Sequence, residues 1–252
     1  MRKNFLSVID FLERAFRELE ATVPPPKWVE LFGQRHARYE ERMFEQAIVQ
    51  KLARMISGLK ALDLLLQAGL AQDQGATKRI LDELHEDILF LVCGKIKEEW
   101  GPSHESYLEG FWTEEFDHPE PLKSTQKRVQ VPRKKVRAAN ARSLAGDDPH
   151  TAGEIERTLY NAYSGYVHGA SPAIMEMCGG DPPSFMFEVP RNDCYSLTLI
   201  NDAWNYFYRS LISIGMIAKA FGNETLGGEI YRAMFEFERE TGRKYSDPLP
   251  NG

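Results

Sequence analysis

Apolar residues recur at three- and four-residue steps along most of this chain, a spacing that places them on one face of a helix. The pattern predicts long helices at 4–20, 36–70, 76–98, 152–168, 192–221 and 224–241. It also predicts a short helix within 101–121 and another after Pro132. The predicted buried positions of the first three long helices are Phe5, Val8, Ile9, Leu12, Phe16 and Leu19, then Phe44, Ile48, Leu52, Met55, Leu59, Leu62 and Leu66, then Ile80, Leu84, Ile88, Leu91 and Ile96.

Clusters of proline and glycine separate the predicted helices. The prolines of "VPPPKW" at 23–28 lack amide donors and hold the backbone extended, so they end the first helix. Residues 169–191 contain glycine and proline too often for long regular structure, and "SFMFEV" within them fits at most one short strand. Because strand signals are almost absent elsewhere, we predict an all-α fold. It is one domain spanning 1–252, a helical bundle of about seven or eight helices with one irregular loop segment near 169–191.

The composition is that of a globular protein, with 42% hydrophobic and 27% charged residues. Charged residues interrupt the apolar run near the N-terminus, and the most apolar predicted helix carries Arg209 and Lys219. We therefore expect a soluble protein that does not enter a membrane. The three cysteines are widely spaced and form no Cys-x-x-Cys pair, which favours a reducing, cytoplasmic location without disulfides.

Positive charge is concentrated in one segment. Residues 123–142 contain eight Lys or Arg and no Asp or Glu, although the whole chain has a formal net charge of −6. Lys134, Lys135 and Arg137 are the binding candidates there, and clustered positive charge attracts RNA or an acidic protein partner. The alternative is that the segment docks on the acidic helices of its own chain. Both interpretations remain open at this stage.

The stretch "TLYNAYSGYVHGASP" at 158–172 crowds three tyrosines, a serine and a histidine into one helix end. Thr151 and Glu154 have the spacing of a capping box at the start of this helix, and Gly169 is well placed to follow its last residue.

Four polar residues of this helix share one face. Residues four apart lie one turn above each other, so Arg157, Tyr160, Ser164 and His168 form a stripe, with Tyr163 beside it. Such a stripe could hold a phosphate and move a proton, with His168 as acid or base. The alternative is that His168 only caps the carbonyl groups at the helix end.

A second polar pattern lies in "KRILDELHEDILF" at 78–90. Arg79, Glu83 and Asp87 follow each other at four-residue steps, while His85 lies elsewhere around the helix. Arg79 and Glu83 could form an ordinary intrahelical ion pair, or lean into the bundle as a buried pair that needs partners.

Recognised catalytic and metal motifs are missing from the sequence. A single Glu-x-x-His at 115–118 is too little for a di-iron bundle, so we predict no metal. Neither a phosphate-binding loop, nor a dinucleotide-binding glycine motif, nor a nucleophile elbow occurs, and we predict no cofactor.

Together, "RILDEL" and "LYNAYSGYVHG" resemble the Arg-x-x-x-Glu and Tyr-x-x-x-Ser-x-x-x-His elements of a group of bacterial helical proteins classed as a domain of unknown function. The resemblance implies an all-α fold in which Arg79, Glu83, Tyr160, Ser164 and His168 converge on one polar site. More distantly, the chain is similar to the HEPN helical proteins of toxin and phage-defence systems. Several of these are metal-independent ribonucleases, with an arginine followed shortly by a histidine.

The residues and the resemblance lead to two main functional hypotheses. The first is a helical protein that acts by partner binding or self-association, for example as a homodimer, through 123–142 and 169–191, in bacterial defence or stress. The alternative is a HEPN-like ribonuclease that uses His168 or His85 with Arg79 or Arg157. Five residues separate Arg79 from His85, which fits that family's spacing, whereas ten separate Arg157 from His168. A third possibility is a small-molecule binder with a tyrosine-rich interior.

Overall fold

The computed structural model describes residues 1–144, 149–189 and 194–245, with the backbone alone described at 144, 149–153, 155, 156, 159, 160, 194 and 195. These residues form an all-α bundle, which confirms the predicted fold class. In chain order the helices are α1 (Arg2–Glu20), α2 (Phe44–Ala68), α3 (Ala71–Ile96), α4 (Pro102–Trp112), α5 (Arg133–Leu144), α6 (Pro149–His168), α7 (Ser171–Met175), α8 (Cys194–Ala220) and α9 (Glu224–Thr241). The strands are β1 (Lys27–Leu31), β2 (Gln34–Arg38), β3 (Cys178–Gly179) and β4 (Ser184–Phe185).

The predicted apolar stripe of α1 is buried along its whole length, and its rings pack against the last helices. Phe5 stacks on Phe207 with ring centroids 4.2 Å apart, and Phe237 lies 6.3 Å from Phe5. Helix α2 ends at Gly69, whose φ of 73° is the left-handed conformation that glycine adopts without strain. The chain then reverses, so α2 and α3 pack side by side.

Helix α3 lies at the centre of the bundle, in contact with α2, α5, α6 and α8. Because neighbours surround it, its buried residues are not confined to the predicted stripe, and the prediction that Ile80 faces inward is wrong, since Ile80 is 40% exposed. Its buried polar side chains are Gln74, Lys78, Arg79, Asp82, Glu86 and Asp87.

A hairpin that the periodicity did not predict precedes α2. β1 and β2 pair antiparallel from Lys27 with Arg38 to Leu31 with Gln34. The two turn residues, Phe32 and Gly33, both have positive φ, as a tight two-residue hairpin turn requires. The helix predicted from residue 36 therefore begins only at Phe44.

The start of α6 also differs from the prediction. The helix begins at Pro149, where the fixed φ of proline suits a first helical turn. Thr151 thus lies inside the helix, so the predicted capping box with Glu154 is wrong. The predicted end is confirmed: Gly169 follows His168 with a φ of 63°, and the Ala170 amide donates to the Gly165 carbonyl.

The segment after α6 contains only short elements, as predicted. It is anchored to the end of α2 and the start of α3. The Gln72 side chain donates to the Ala173 carbonyl at 2.6 Å, and the Val189 amide donates to the Gly69 carbonyl at 2.9 Å. Strand β4 falls within the predicted "SFMFEV" strand and pairs with β3. The predicted start of α8 at residue 192 lies outside the described residues.

Candidate functional site

The polar residues predicted along α6 do not form one site. Arg157 and His168 are both exposed, and Arg157 pairs with Glu154 at 2.5 Å. The two residues are eleven positions apart, so their Cα atoms lie about 16 Å from each other along the helix axis. This distance is too long for both side chains to bind one phosphate. Ser164 is half-buried between them, and the Tyr160 side chain lies outside the described residues.

The residues predicted on α3 separate as well. Arg79 is buried and pairs with Glu83 at 2.5 Å, which is the intrahelical ion pair that the four-residue step predicted. His85 instead faces α8, where its Nδ1 lies 2.6 Å from the Ser213 hydroxyl. Burial, together with the Arg209 guanidinium, lowers the pKa of His85 well below 6.5, so the ring is neutral at pH 7. Arg79 and His85 therefore have different partners.

A buried cluster around Asp82 joins α3 to α8. The Arg209 guanidinium donates to one Asp82 oxygen at 2.6 Å, and the Tyr206 hydroxyl donates to the other at 3.1 Å. Tyr163 of α6, one of the predicted binding residues, hydrogen-bonds to Tyr206 of α8. Burial, and then the nearby Asp202 carboxylate, raises the pKa of Tyr163 above its usual value, so its hydroxyl keeps its proton.

Lys78 extends this Asp82 cluster toward the surface. Its ammonium lies 3.3 Å from Asp202 and 5.8 Å from the centre of the Tyr163 ring. Burial lowers the pKa of Lys78, and Asp202 offsets part of that effect. The Lys78 side chain is almost fully buried, whereas the Asp202 side chain is 34% exposed, so the cluster reaches solvent at Asp202.

A second buried cluster, around Asp87, joins α3 to α2 and α5. Lys51 donates to Asp87 at 2.9 Å, and Arg133 donates to both Asp87 and Glu86. Arg137 lies 3.4 Å from Glu86. Burial alone raises the pKa of Asp87, but Lys51 and Arg133 outweigh it and hold that pKa below its usual value. The carboxylate is therefore ionised and compensated.

The Asp87 cluster decides how much of the basic segment faces solvent. Arg133 and Arg137 dock on the chain's own α3, which is the second interpretation of that segment. Lys134 and Lys135 are exposed, so contact with RNA or an acidic partner stays a prediction for them.

Sequence reasoning missed Asp82, Lys51 and Arg209 because each was assigned to an ordinary amphipathic helix. One signal was present: Lys51 directly precedes Leu52 in the apolar stripe of α2, and Arg209 interrupts the most apolar helix. A charge at such a position needs a buried partner.

Beside the end of α6, the chain exposes large apolar side chains. We define the apolar surface by five residues, of which Phe187 is 79% and Phe185 is 55% exposed. Its members are Val167, Ile174, Met175, Phe185 and Phe187. Clusters of exposed large apolar groups are uncommon on proteins that have no partner.

The charged side chains in this stretch of the sequence have one sign. From residue 158 to 190 the sequence contains the acidic residues Glu176, Asp181 and Glu188 and no Lys or Arg. The Tyr166 hydroxyl donates to Glu176, and the Tyr166 ring packs directly on Gly75 of α3. The segment that carries the apolar surface therefore lies on a fixed support, and its own charged residues are acidic.

In the described part of the chain, no helix is long and apolar enough to cross a membrane. In the same residues, no group of three or more His, Cys, Asp or Glu side chains is arranged to hold a metal ion. The chain matches no protein-family model, no curated protein and no solved structure.

Proposed function

We propose that this protein is a binding module, whose apolar surface docks a partner segment that is both apolar and basic. The observation that carries the proposal is the exposure of Phe185 and Phe187 within a stretch whose charged residues are all acidic. Apolar anchors supply affinity, and the acidic residues of the same segment select a cationic partner.

The support beneath the apolar surface favours binding without large rearrangement. The hydrogen bonds of Gln72 to Ala173 and of Val189 to Gly69 hold the segment at both ends. A surface that is already ordered loses less conformational entropy on docking than a mobile loop does.

The buried charges support a binding role rather than catalysis. Arg209 compensates Asp82, and Lys51 with Arg133 compensates Asp87, so both carboxylates are already engaged within the chain. Such compensation stabilises helix packing. It leaves these groups without an open position for a substrate.

The test uses a defined probe, a fluorescein-labelled amphipathic helix of about 18 leucine and lysine residues. Fluorescence anisotropy should show that it binds the full chain. Replacing Phe185 and Phe187 together by serine should weaken binding by about tenfold or more, because two central aromatic anchors are lost.

The matched control changes Tyr231 and Phe235 of α9 to serine, since these aromatic residues are equally exposed but far along the chain from the apolar surface. The affinity of this variant for the peptide should stay within about twofold of that of the unchanged protein.

A peptide with glutamate in place of lysine should not bind. Equal losses in both variants would contradict the proposal, as would equal binding of the two peptides. A dimer that dissociates only when Phe185 and Phe187 are changed would assign the surface to a second copy of the chain.

A further inference from the structure

A cleft lies between the end of α3, the start of α4 and α5. It consists of an inner cavity of about 110 Å³ and an outer cavity of about 420 Å³. The two adjoin, because Phe90, Glu99, His104, Ala139 and Arg142 line both. We call this space the α4–α5 cleft.

Small residues of α5 leave the room for the α4–α5 cleft. Lys135 and Arg142 are seven positions apart, so they lie on the same face about two turns from each other. Ala138 and Ala139 lie between them and line the outer cavity. The methyl side chains leave open space where larger side chains would fill it.

The outer cavity is suited to an anion. Lys135 and Arg142 are both exposed there, and neither makes an ion pair with any described residue. The first turn of α4, from Gly101 to Ser103, lines the opposite side. At this helix start the Gly101 amide is taken by His104 and Pro102 has no N–H, so the Ser103 amide and the positive end of the helix dipole add to the two cations.

The inner cavity shares Glu99 and Arg142 with the outer cavity and adds a hydrogen-bond acceptor at Asn140. Asn140 is 1% exposed, and its Nδ2 donates to the Glu86 carbonyl at 2.9 Å, which fixes the orientation of the amide. Its Oδ1 is buried and accepts no hydrogen bond from the described residues. A buried acceptor without a donor is destabilising, and a ligand N–H would remove that cost. Glu99 lines both cavities.

His104 forms part of the wall and has no free nitrogen for a ligand. Its Nδ1 accepts from the Gly101 amide at 3.1 Å, and its ring also hydrogen-bonds to the Phe90 backbone. The ring is stacked between Phe90 at 4.3 Å and Trp100 at 4.8 Å.

We infer that the α4–α5 cleft binds a small molecule that carries a phosphate or carboxylate group and, a few atoms away, an amine. The anionic group lies in the outer cavity with Lys135 and Arg142. The amine lies in the inner cavity, where it donates to Asn140 Oδ1 and neutralises Glu99. This site is separate from the apolar surface and does not depend on it.

Isothermal titration of the full chain tests the site with three probes at concentrations up to about 10 mM. O-Phosphoethanolamine carries phosphate and amine, ethyl phosphate carries phosphate alone, and β-alanine carries carboxylate and amine. O-Phosphoethanolamine or β-alanine should bind, and the tighter of the two identifies the anionic group. Ethyl phosphate should bind more weakly than O-phosphoethanolamine, because it leaves Asn140 Oδ1 without a donor.

The matched variants are Lys135→Gln and Lys134→Gln, which remove the same charge from neighbouring positions of α5. Lys135 lines the outer cavity and Lys134 does not. Lys135→Gln should weaken binding about tenfold, whereas Lys134→Gln should stay within about twofold. Two results would overturn the inference. One is that neither aminated probe binds, and the other is that both variants weaken binding equally, which would mean diffuse attraction to the basic segment.

Discussion

The buried charged residues of α3 and the apolar surface depart in opposite ways from the usual distribution of polar and apolar groups. On α3, Asp82 and Asp87 are buried among charged partners. On the apolar surface, Phe185 and Phe187 are exposed to solvent. The difference between them is whether the chain itself supplies a partner. The buried carboxylates are compensated by the chain's own cations, whereas nothing in the described residues covers the two phenylalanines.

This difference separates stability from function. A buried charge whose partner is removed is strongly destabilising, so the α3 clusters constrain how the helices pack. An exposed apolar side chain contributes little to folding. Its unfavourable contact with water is removed only when a partner covers it. We therefore expect substitutions in the first region to change unfolding and those in the second to change binding.

The largest expected effect is at Asp82. Asp82→Ala leaves the Arg209 guanidinium buried without its main carboxylate partner, and should lower the free energy of unfolding by about 3–5 kcal/mol, measured by urea denaturation. Glu154→Ala removes the exposed partner of Arg157 and should cost less than about 1 kcal/mol. Similar losses from the two substitutions would mean that the Asp82 cluster does not differ from a surface ion pair.

Gly75 tests the support that joins α3 to the region of the apolar surface. A Cβ added at Gly75 would lie 2.4 Å from the Tyr166 ring, so Gly75→Ala should lower the free energy of unfolding by about 1–3 kcal/mol. In α9, a Cβ at Gly227 meets nothing within 4 Å, and Gly227→Ala should stabilise the protein by about 0.5–1 kcal/mol. Thermal unfolding of the two variants should therefore shift in opposite directions.

The dependence of stability on pH tests whether the interior keeps His85 neutral. Its pKa in the folded protein is lowered below the value of 6.5 for an unfolded chain, so the unfolded state takes up a proton first as the pH falls. The stability contributed by neutral His85 is complete above pH 6.5. It decreases below pH 6.5 by at most about 1.4 kcal/mol per pH unit, until the folded pKa is reached.

Urea denaturation between pH 7.5 and 5.5 measures this effect. His85→Gln should show a smaller decrease than the unchanged chain, because glutamine does not titrate. Buried His104, whose pKa burial also lowers, provides a second contribution that remains in the variant. An unchanged pH dependence in His85→Gln would show that His85 is not the group responsible.

The smallest expected effect on stability is at the apolar surface. The double replacement of Phe185 and Phe187 by serine should change the free energy of unfolding by less than about 0.5 kcal/mol, because both rings are largely exposed already. Urea denaturation, performed on the same samples as the anisotropy titration, checks this. A large loss of stability would mean that the two rings hold the segment together. The contrast in stability with the buried charged clusters of α3 would then disappear.

Local patterns predicted the helices well, because helix formation depends on neighbouring residues. The stripe of α1, from Phe5 to Leu19, is buried as its spacing required. Gly169 ends α6 because only residues that tolerate a left-handed backbone suit that position. The hairpin turn at Phe32 and Gly33 was missed, since a phenylalanine with positive φ has no strong sequence signal.

The candidate site could be predicted only in part. The four-residue step between Arg79 and Glu83 correctly indicated an ion pair, because both residues lie on one helix. The predicted stripe from Arg157 to His168 considered the angle around the helix but not the distance along it. Tyr163 was singled out for its place in an aromatic run, yet its neighbour Tyr206 belongs to a helix far along the chain.

The sequence by itself determined which stretches are helical, where most of them end, and that residues 169–189 break the pattern. The tertiary structure alone decided which charges are buried and which apolar groups are exposed. Lys51 meets Asp87, and Asp82 meets Arg209, only after helices from distant parts of the chain have packed. The physical reason is that helical periodicity is a local property. Burial depends instead on how many other helices surround a given face, and α3, with helices on several sides, buries far more than one stripe.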